Sequence, residues 1–361
     1  MTRNVLKYFA GGNTAKGHYS LFHSNLSNLE RLYILKGGPG TGKSHFIKKI
    51  GKEWRKKGYS LEYIYCSSDK DSLDGVIIRD VNVGIVDGTK PHVIEPQFPG
   101  VVDEYVNLGV AWDSEKLRKH KDEIMSLTTQ VGHAFQAAYD SFGDAFVFYE
   151  KQRENVSRYL NSTKVKRLTE TLVDELFDEK LNTKTAVVKH RFHGANTPTG
   201  FFSFFNELTE PLRKRYVLKG RPGTGKSLIF KRLLLEAEIR GFHVEVYHCG
   251  FVPENIDLLI VRDLDLAVID HKVPHKLHNI RDTDKVIDME KEALDAQWIH
   301  EDEELYDAYA KHMQEGFSWL KKAKFLRDKL ESYYIQAMDF QVTTKIREDI
   351  QREIEMLATE Q

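Results

Sequence analysis

Two twelve-residue stretches have the residue types and spacing that suit phosphate binding. YILKGGPGTGKS occupies residues 33–44, and YVLKGRPGTGKS occupies residues 216–227. Both contain the pattern G-x-x-x-x-G-K-S/T in full. Glycines at this spacing let backbone N–H groups turn inward around phosphate oxygens, while the lysine reaches the terminal phosphates and the serine hydroxyl binds Mg²⁺. Residues 37–44 are called the first loop below, and residues 220–227 the second loop.

The two loops supply the predicted nucleotide contacts. Lys43 and Lys226 are the expected phosphate-binding lysines, and Ser44 and Ser227 are expected metal ligands. The N-terminus of the helix that follows each loop adds a favourable dipole. The full predicted set is Gly38, Pro39, Gly40, Thr41, Gly42, Lys43 and Ser44 in the first loop and Arg221, Pro222, Gly223, Thr224, Gly225, Lys226 and Ser227 in the second.

An aspartate ends an apolar run downstream of each loop. Asp87 closes VGIVD, and Asp270 closes LAVID. A carboxylate at this place holds Mg²⁺ through water in phosphoryl-transfer sites, and it also suits a residue that caps a turn. We predict that Asp87 and Asp270 are metal-binding and catalytic residues.

Arg79 and Arg262 precede these runs and are the candidate catalytic arginines. Either they pair with the adjacent Asp80 and Asp263, or each half offers its arginine to the phosphates of the other half. The predicted catalytic set is therefore Lys43, Lys226, Asp87, Asp270, Arg79 and Arg262.

Three further pairs of polar residues fall near predicted strand ends, where open α/β sheets bind ligands. The cysteines suit packing, and no partner for thiolate catalysis is identifiable. The aspartates suit either the orientation of water or a helix N-terminus. The histidines suit a phosphate sensor or a proton acceptor, or else a structural position in a loop. The pairs are Cys66 and Cys249, Asp74 and Asp257, and His92 and His275.

The sequence contains an internal repeat. A shift of 183 positions aligns residues 9–92 with residues 192–275 without a gap, and 30 of these 84 positions are identical. Duplication of a whole domain is the simplest explanation. We predict an intramolecular pseudo-dimer with a first half at 1–183 and a second half at 184–361. The matching segments GGNTAKG and GANTPTG either form turns or lie near the nucleotide.

Strand and helix alternate in each half, which predicts an α/β fold of two tandem domains with mainly parallel sheets. Each loop lies between an apolar strand and a helix, and Gly58 or Gly241 closes that helix. Each half then ends in a helical arm, at about 113–182 and 286–360. Residues 139–152 resemble residues 317–330 in apolar pattern, at an offset of 178. One apolar stripe of the second arm comprises Met313, Phe317, Leu320, Leu326, Leu330, Tyr333 and Ala337.

The composition of the chain indicates its class and its cellular compartment. The 361 residues are 41% hydrophobic and 30% charged, with a formal net charge of −1 and two cysteines. This balance does not indicate binding to nucleic acid or to an anionic membrane. No apolar run reaches the length of a membrane span, and the start lacks the apolar region of a secretory signal. We therefore expect a cytoplasmic protein without disulfides.

The two loops in their strand–helix context resemble those of the P-loop NTPases. GGPGTGKS and GRPGTGKS are similar to the loops of AAA-type ATPases, but Gly88 and His271 stand where that group has a catalytic glutamate after the aspartate. The ABC signature LSGGQ and the guanine-reading NKxD are missing. With its paired RD and PH dipeptides, the whole chain resembles a bacterial family of tandem P-loop ATPases. That resemblance implies ATP and Mg²⁺ as cofactors and ATP hydrolysis.

Three functions remain open at this stage. The first is an Mg²⁺-dependent ATPase with two nucleotide sites, whose hydrolysis rearranges the halves and their arms. The second is a kinase for a nucleotide or small molecule, with the arms as a lid that carries Arg153, Arg158 and Arg167. The third is a binding scaffold whose fold nucleotide only stabilises. The arms also offer a surface for a protein partner.

Overall fold

The computed structural model describes residues 5–178, 181–183, 185–271, 280–295 and 303–360. The predicted site residue His275 lies outside these ranges. Among the described residues, no helix combines the length and the apolar character needed to cross a bilayer.

The first half contains eight strands and five helices in its described part. The strands are β1 (Val5–Phe9), β2 (Gly11–Thr14), β3 (Gly17–Ser20), β4 (Arg31–Lys36), β5 (Leu61–Cys66), β6 (Asp69–Ile78), β7 (Val83–Asp87) and β8 (Asp103–Asn107). The helices are α1 (Phe22–Leu26), α2 (Lys43–Lys56), α3 (Ser114–Arg118), α4 (Lys121–Ser157) and α5 (Ser162–Phe177).

The second half repeats this order. Its strands are β9 (Val188–Phe192), β10 (Gly194–Thr197), β11 (Gly200–Ser203), β12 (Lys214–Lys219), β13 (Val244–His248), β14 (Ile256–Val261), β15 (Leu266–His271) and β16 (Lys285–Asp288). Its helices are α6 (Phe205–Thr209), α7 (Lys226–Ile239), α8 (Met289–Ala293), α9 (Glu303–Ala337) and α10 (Phe340–Glu360).

One mixed sheet of twelve strands runs through both halves, in the order β16-β12-β15-β14-β13-β9-β1-β5-β6-β7-β4-β8. In the first half, β1 and β5 are parallel, as are β4 with β7 and β4 with β8. In contrast, β6 runs antiparallel to β5 and β7, and β1 meets β9 in antiparallel fashion at the centre. The predicted α/β class is therefore confirmed, but the two mainly parallel sheets are corrected to one mixed sheet.

The junction between the halves combines buried aromatic side chains with hydrogen bonds. Phe9 and Phe192 are fully buried and face each other as the paired residues of β1 and β9. The segments GGNT and GANT each form the first strand of a hairpin, and only the residues that follow them, 15–16 and 198–199, form turns. Asn13 Nδ2 donates to the Asn196 carbonyl at 2.9 Å, and Asn196 Nδ2 donates to the Asn13 carbonyl at 2.8 Å. These reciprocal bonds tie the two hairpins together.

The helical arms exchange between the halves. The first arm consists of α3 to α5, and the second arm consists of α9 and α10. The second arm begins later than predicted because residues 285–293 form β16 and α8. Helices α4 and α9 pack along each other, and the apolar stripe of α9 is largely buried there. Helix α5 then packs on α7 of the second half, and α10 packs on α2 of the first half.

The crossing was not predicted, since each arm was assigned to the half that precedes it. Val165 and Leu172 of α5 are buried with Ile229 of α7 in one core cluster. Ile350 and Ile354 of α10 are buried in the cluster that contains Phe46 and Trp54 of α2. Periodicity shows that a helix has an apolar face, but it does not show which element covers that face.

Candidate functional site

The first loop connects β4 to α2, as predicted. Gly40 and Gly42 have φ of +73° and +85°, in the left-handed region that favours glycine. Gly42 is the N-cap of α2. This backbone course turns consecutive N–H groups toward one side, which is the arrangement that cradles an anion.

Lys43 and Asp87 meet beside this loop because β7 pairs directly with β4. The Lys43 ammonium lies 3.7 Å from Asp87 Oδ2, and it donates to the carbonyls of Gly37 and Gly38 at 3.0 and 2.8 Å. Burial lowers the pKa of Lys43, and the Asp87 carboxylate opposes that shift. Asp87 Oδ1 accepts hydrogen bonds from Thr89 N and Oγ1, so the residue also caps a turn.

Ser44 is held by a contact that the sequence did not indicate. Its hydroxyl oxygen accepts a hydrogen bond of 2.9 Å from the backbone N–H of Leu73 in β6. The antiparallel strand β6 therefore fixes the orientation of the serine that the motif assigns to Mg²⁺.

A cavity of about 500 Å³ lies over the first loop, and both halves line it. Its volume is within the range of small-molecule sites. The first half contributes Lys43, Ser44, Cys66, Asp74 and Asp87, and the second arm contributes Lys324, Arg327, Glu331, Ile335, Phe340 and Arg347. The predicted lysine, serine and aspartate thus meet in one cavity, together with cations from the opposite half.

The second arm rests directly on the first loop. A Cβ atom at Gly40 would lie 2.7 Å from the Glu331 carbonyl oxygen, and one at Gly38 would lie 2.8 Å from the ring of Tyr334. The neighbour of Gly40 is backbone, so glycine is needed there for the arm to approach, whereas at Gly38 the Tyr334 side chain would have to shift. Arg327 Nε donates to Glu331 Oε1 at 3.2 Å, which fixes the guanidinium one helical turn away from this contact.

The second loop has the same local geometry. Lys226 Nζ lies 2.9 Å from Asp270 Oδ1 and donates to the Gly220 carbonyl. A Cβ atom at Gly223 would lie 2.4 Å from the Arg153 carbonyl oxygen. Arg153 on the second loop thus corresponds to Glu331 on the first, which reproduces the offset of 178 found in the sequence.

This equivalence identifies what differs between the loops. At the same offset, Tyr149 corresponds to Arg327 and Phe146 to Lys324. Tyr149 accepts a hydrogen bond from Asn255 Nδ2 at 3.1 Å and packs edge-on against Phe251. The first arm therefore places aromatic rings where the second arm places cations.

Arg79 and Arg262 do not occupy the predicted places. Arg79 Nε lies 2.8 Å from Glu62 Oε1, and Arg262 Nε lies 2.6 Å from Glu245 Oε1. The ion-pair partner of each arginine is therefore a glutamate on a neighbouring strand. Neither arginine is among the residues that line the cavity over the first loop. Both arginines belong to an ion cluster at the central strands, so Arg262 is not placed at the phosphates of the first loop.

Buried Arg191 joins the two sides of this central cluster. It contacts Glu62 at 2.8 Å and Glu245 at 3.6 Å and lies over the ring of Tyr8. Burial alone would raise the pKa of Glu245, but Arg191 and Arg262 outweigh it and lower the pKa to about 2. Glu62 and Glu245 occupy equivalent sequence positions, which was the available signal for this cluster.

Three polar residues of the first half, Cys66, Asp74 and His92, lie together in the fold. The sulfur of Cys66 and ligand atoms of Asp74 and His92 all lie within 4.8 Å of one another, and all three residues are buried. Burial alone would lower the pKa of His92, but the Asp74 carboxylate outweighs it and raises the pKa to about 10. Burial raises the pKa of the Cys66 thiol.

Comparison with known proteins yields no match for this chain. Neither a protein-family model, nor a curated protein, nor a solved structure matches it at a significant level.

Proposed function

We propose that the chain is an Mg²⁺-dependent ATPase, with a nucleotide site at each loop and hydrolysis at the first. The observation that carries this proposal is the cavity over the first loop, where Lys43 and Asp87 of one half lie beside Arg327 of the other. On this view the halves are two tandem P-loop domains of a pseudo-dimer, and each is completed by the arm of its partner.

The donor set fits ATP and Mg²⁺. Left-handed glycines at 40 and 42 turn backbone N–H groups toward an anion, and Lys43 adds a buried positive charge at the loop. Ser44 and Asp87 supply the hydroxyl and carboxylate oxygens that Mg²⁺ prefers. Bound Mg²⁺ would neutralise charge that develops on the phosphate oxygens during transfer.

The residues of the chain supply position and charge. Lys43 would hold the terminal phosphates, and Arg327 would place a second positive charge beside the transferred group. An arginine added to such a site from outside the domain is worth roughly 10³–10⁵ in rate. Arg327 therefore takes the role that the sequence had suggested for Arg262.

A kinase is the second candidate, and one observation favours it. The second arm contributes three cations, Lys324, Arg327 and Arg347, to the lining of the cavity over the first loop. In kinases, a lid places positive charge over the transferred phosphate in this way. A lid of this kind would also shield the transfer step from water.

Phosphate release by the purified full-length chain tests these alternatives. Release from Mg²⁺-ATP without any acceptor, lost in Lys43→Ala, supports the ATPase. ADP formation that requires added nucleosides or metabolites supports the kinase. Nucleotide binding without either reaction contradicts both and leaves a nucleotide-stabilised scaffold.

A further inference from the structure

A buried cluster at the end of β5 borders the cavity over the first loop but has no role in the proposed nucleotide chemistry. It consists of Cys66, Asp74 and His92, which are 4, 4 and 5% exposed. Among the described residues it is the only group of three such side chains whose ligand atoms lie close enough to share an ion.

Asp74 and His92 lie at ion-pair distance but are not aligned for a good hydrogen bond. Asp74 Oδ2 lies 3.1 Å from His92 Nε2, and this fully buried oxygen has no well-aligned donor among the described residues. A buried carboxylate oxygen without a donor is costly, and a separation near 3 Å between two such atoms is what two ligands of one small ion require.

The other ring nitrogen of His92, Nδ1, contacts a second histidine. Its Nδ1 lies 3.2 Å from Nε2 of His18, so the outer face of the ring has a hydrogen-bond partner. Metal-binding histidines characteristically bond through the second ring nitrogen to a neighbouring acceptor, which fixes the tautomer and the ring orientation. This contact leaves Nε2 as the nitrogen that faces Cys66 and Asp74.

We propose that Cys66, Asp74 and His92 form a binding site for one divalent transition-metal ion, with Zn²⁺ as the best match. Thiolate, imidazole and carboxylate are the three ligand types of zinc, whereas Mg²⁺ prefers oxygen alone. A thiolate and a carboxylate together cancel the charge of the ion, so the buried group becomes neutral when bound. Three protein ligands leave a fourth position for water, as in catalytic zinc sites.

The second half provides a matched comparison. Cys249 and Asp257 occupy the equivalent positions, and Asp257 Oδ2 is hydrogen-bonded at 3.3 Å to Nε2 of His193. His193 aligns with Ala10, so the first half has no histidine at that position. Phe201 aligns with His18, so the supporting histidine is specific to the first half.

Co²⁺ titration of the full-length chain without nucleotide tests the site independently of ATP hydrolysis. We expect a thiolate-to-cobalt charge-transfer band that saturates with the chain and is abolished by Zn²⁺ but not by Mg²⁺. Cys66→Ser and His92→Gln should each remove one bound Co²⁺ per chain, weakening binding by more than about 100-fold. Cys249→Ser is the control that should retain this ion.

Two results would overturn the proposal. One is a wild-type chain that gives no saturable cobalt–thiolate band, a measurement that needs no variant to fold. The other is a band that persists unchanged in Cys66→Ser or His92→Gln, with thermal unfolding used to establish that those variants are folded.

Discussion

The first and second loops have nearly the same backbone and lysine–aspartate geometry but are covered by different chemistry. Over the first loop the opposite arm places Arg327 and Lys324, while over the second loop the equivalent residues are Tyr149 and Phe146. Gly38 admits the ring of Tyr334 at the first loop, whereas Arg221 replaces this glycine at the second.

This contrast suggests that different parts of the chain serve nucleotide binding and nucleotide hydrolysis. The residues proposed to bind phosphate lie within the loops and are duplicated, so both halves retain them. The charge proposed to stabilise the transition state comes from an arm, and the second arm has Arg327 at the position where the first arm has Tyr149. We therefore propose one site that hydrolyses nucleotide and one site that binds it, built from the same duplicated unit.

The largest expected effect comes from the arginine that distinguishes the loops. Arg327→Ala should lower phosphate release by roughly 10³-fold or more, because it removes positive charge from the transferring group. Nucleotide affinity should change little. The matched control is Tyr149→Phe at the equivalent position, which should leave steady-state phosphate release within about twofold of wild type. Similar losses in both variants would contradict the asymmetry.

The two lysines should differ in the same direction. We expect Lys43→Ala to lower phosphate release by roughly 10²–10³-fold, as for the loss of one preorganised cation or donor. Lys226→Ala should retain at least half of the wild-type rate, since the second loop is proposed to bind without hydrolysis. Equal losses measured in the same phosphate-release assay would mean that both loops hydrolyse nucleotide or that they act as one unit.

The crossed arms predict that a core substitution affects the opposite half. Ile354→Ala removes a buried side chain between α10 and α2, and it should lower the free energy of unfolding by about 2–5 kcal/mol. Hydrogen exchange should then rise in α10 and α2. Leu172→Ala, between α5 and α7, should instead increase exchange in α7. The crossing is refuted if Ile354→Ala exposes α7 and leaves α2 protected.

The smallest expected effect is a change in nucleotide stoichiometry. Equilibrium binding of a non-hydrolysable ATP analogue should give two sites per chain, because both loops are complete. Lys43→Ala and Lys226→Ala should each reduce this number to one. A single variant that leaves the stoichiometry unchanged would identify its loop as structural.

Local geometry was accessible from the sequence, but long-range partners were not. The motif and the strand pattern placed Lys43, Ser44 and Asp87 together, since adjacent strand ends lie at one edge of a sheet. In contrast, β8 and β16, with sequences DEYVN and KVID, are short edge strands without a distinctive apolar pattern.

The arginine proposed to act at the first loop shows the same limit. Arg79 was chosen because it stands near Asp87 in the sequence, whereas Arg327 reaches the first loop only through the path of α9. Cys66, Asp74 and His92 were each recognised as candidates. Their convergence depended on the register of β5 with β6, which includes a bulge that no local pattern indicates.

The exchange of arms also sets an order for biosynthesis. The first loop is translated well before the side chains that complete its cavity, which lie beyond residue 323. At about 5–20 residues per second, synthesis of the stretch from Lys43 to Lys324 takes roughly 14–56 s, and the first site stays incomplete for that time. A chain released early from the ribosome would therefore carry an intact phosphate loop without the arginine proposed to make it active.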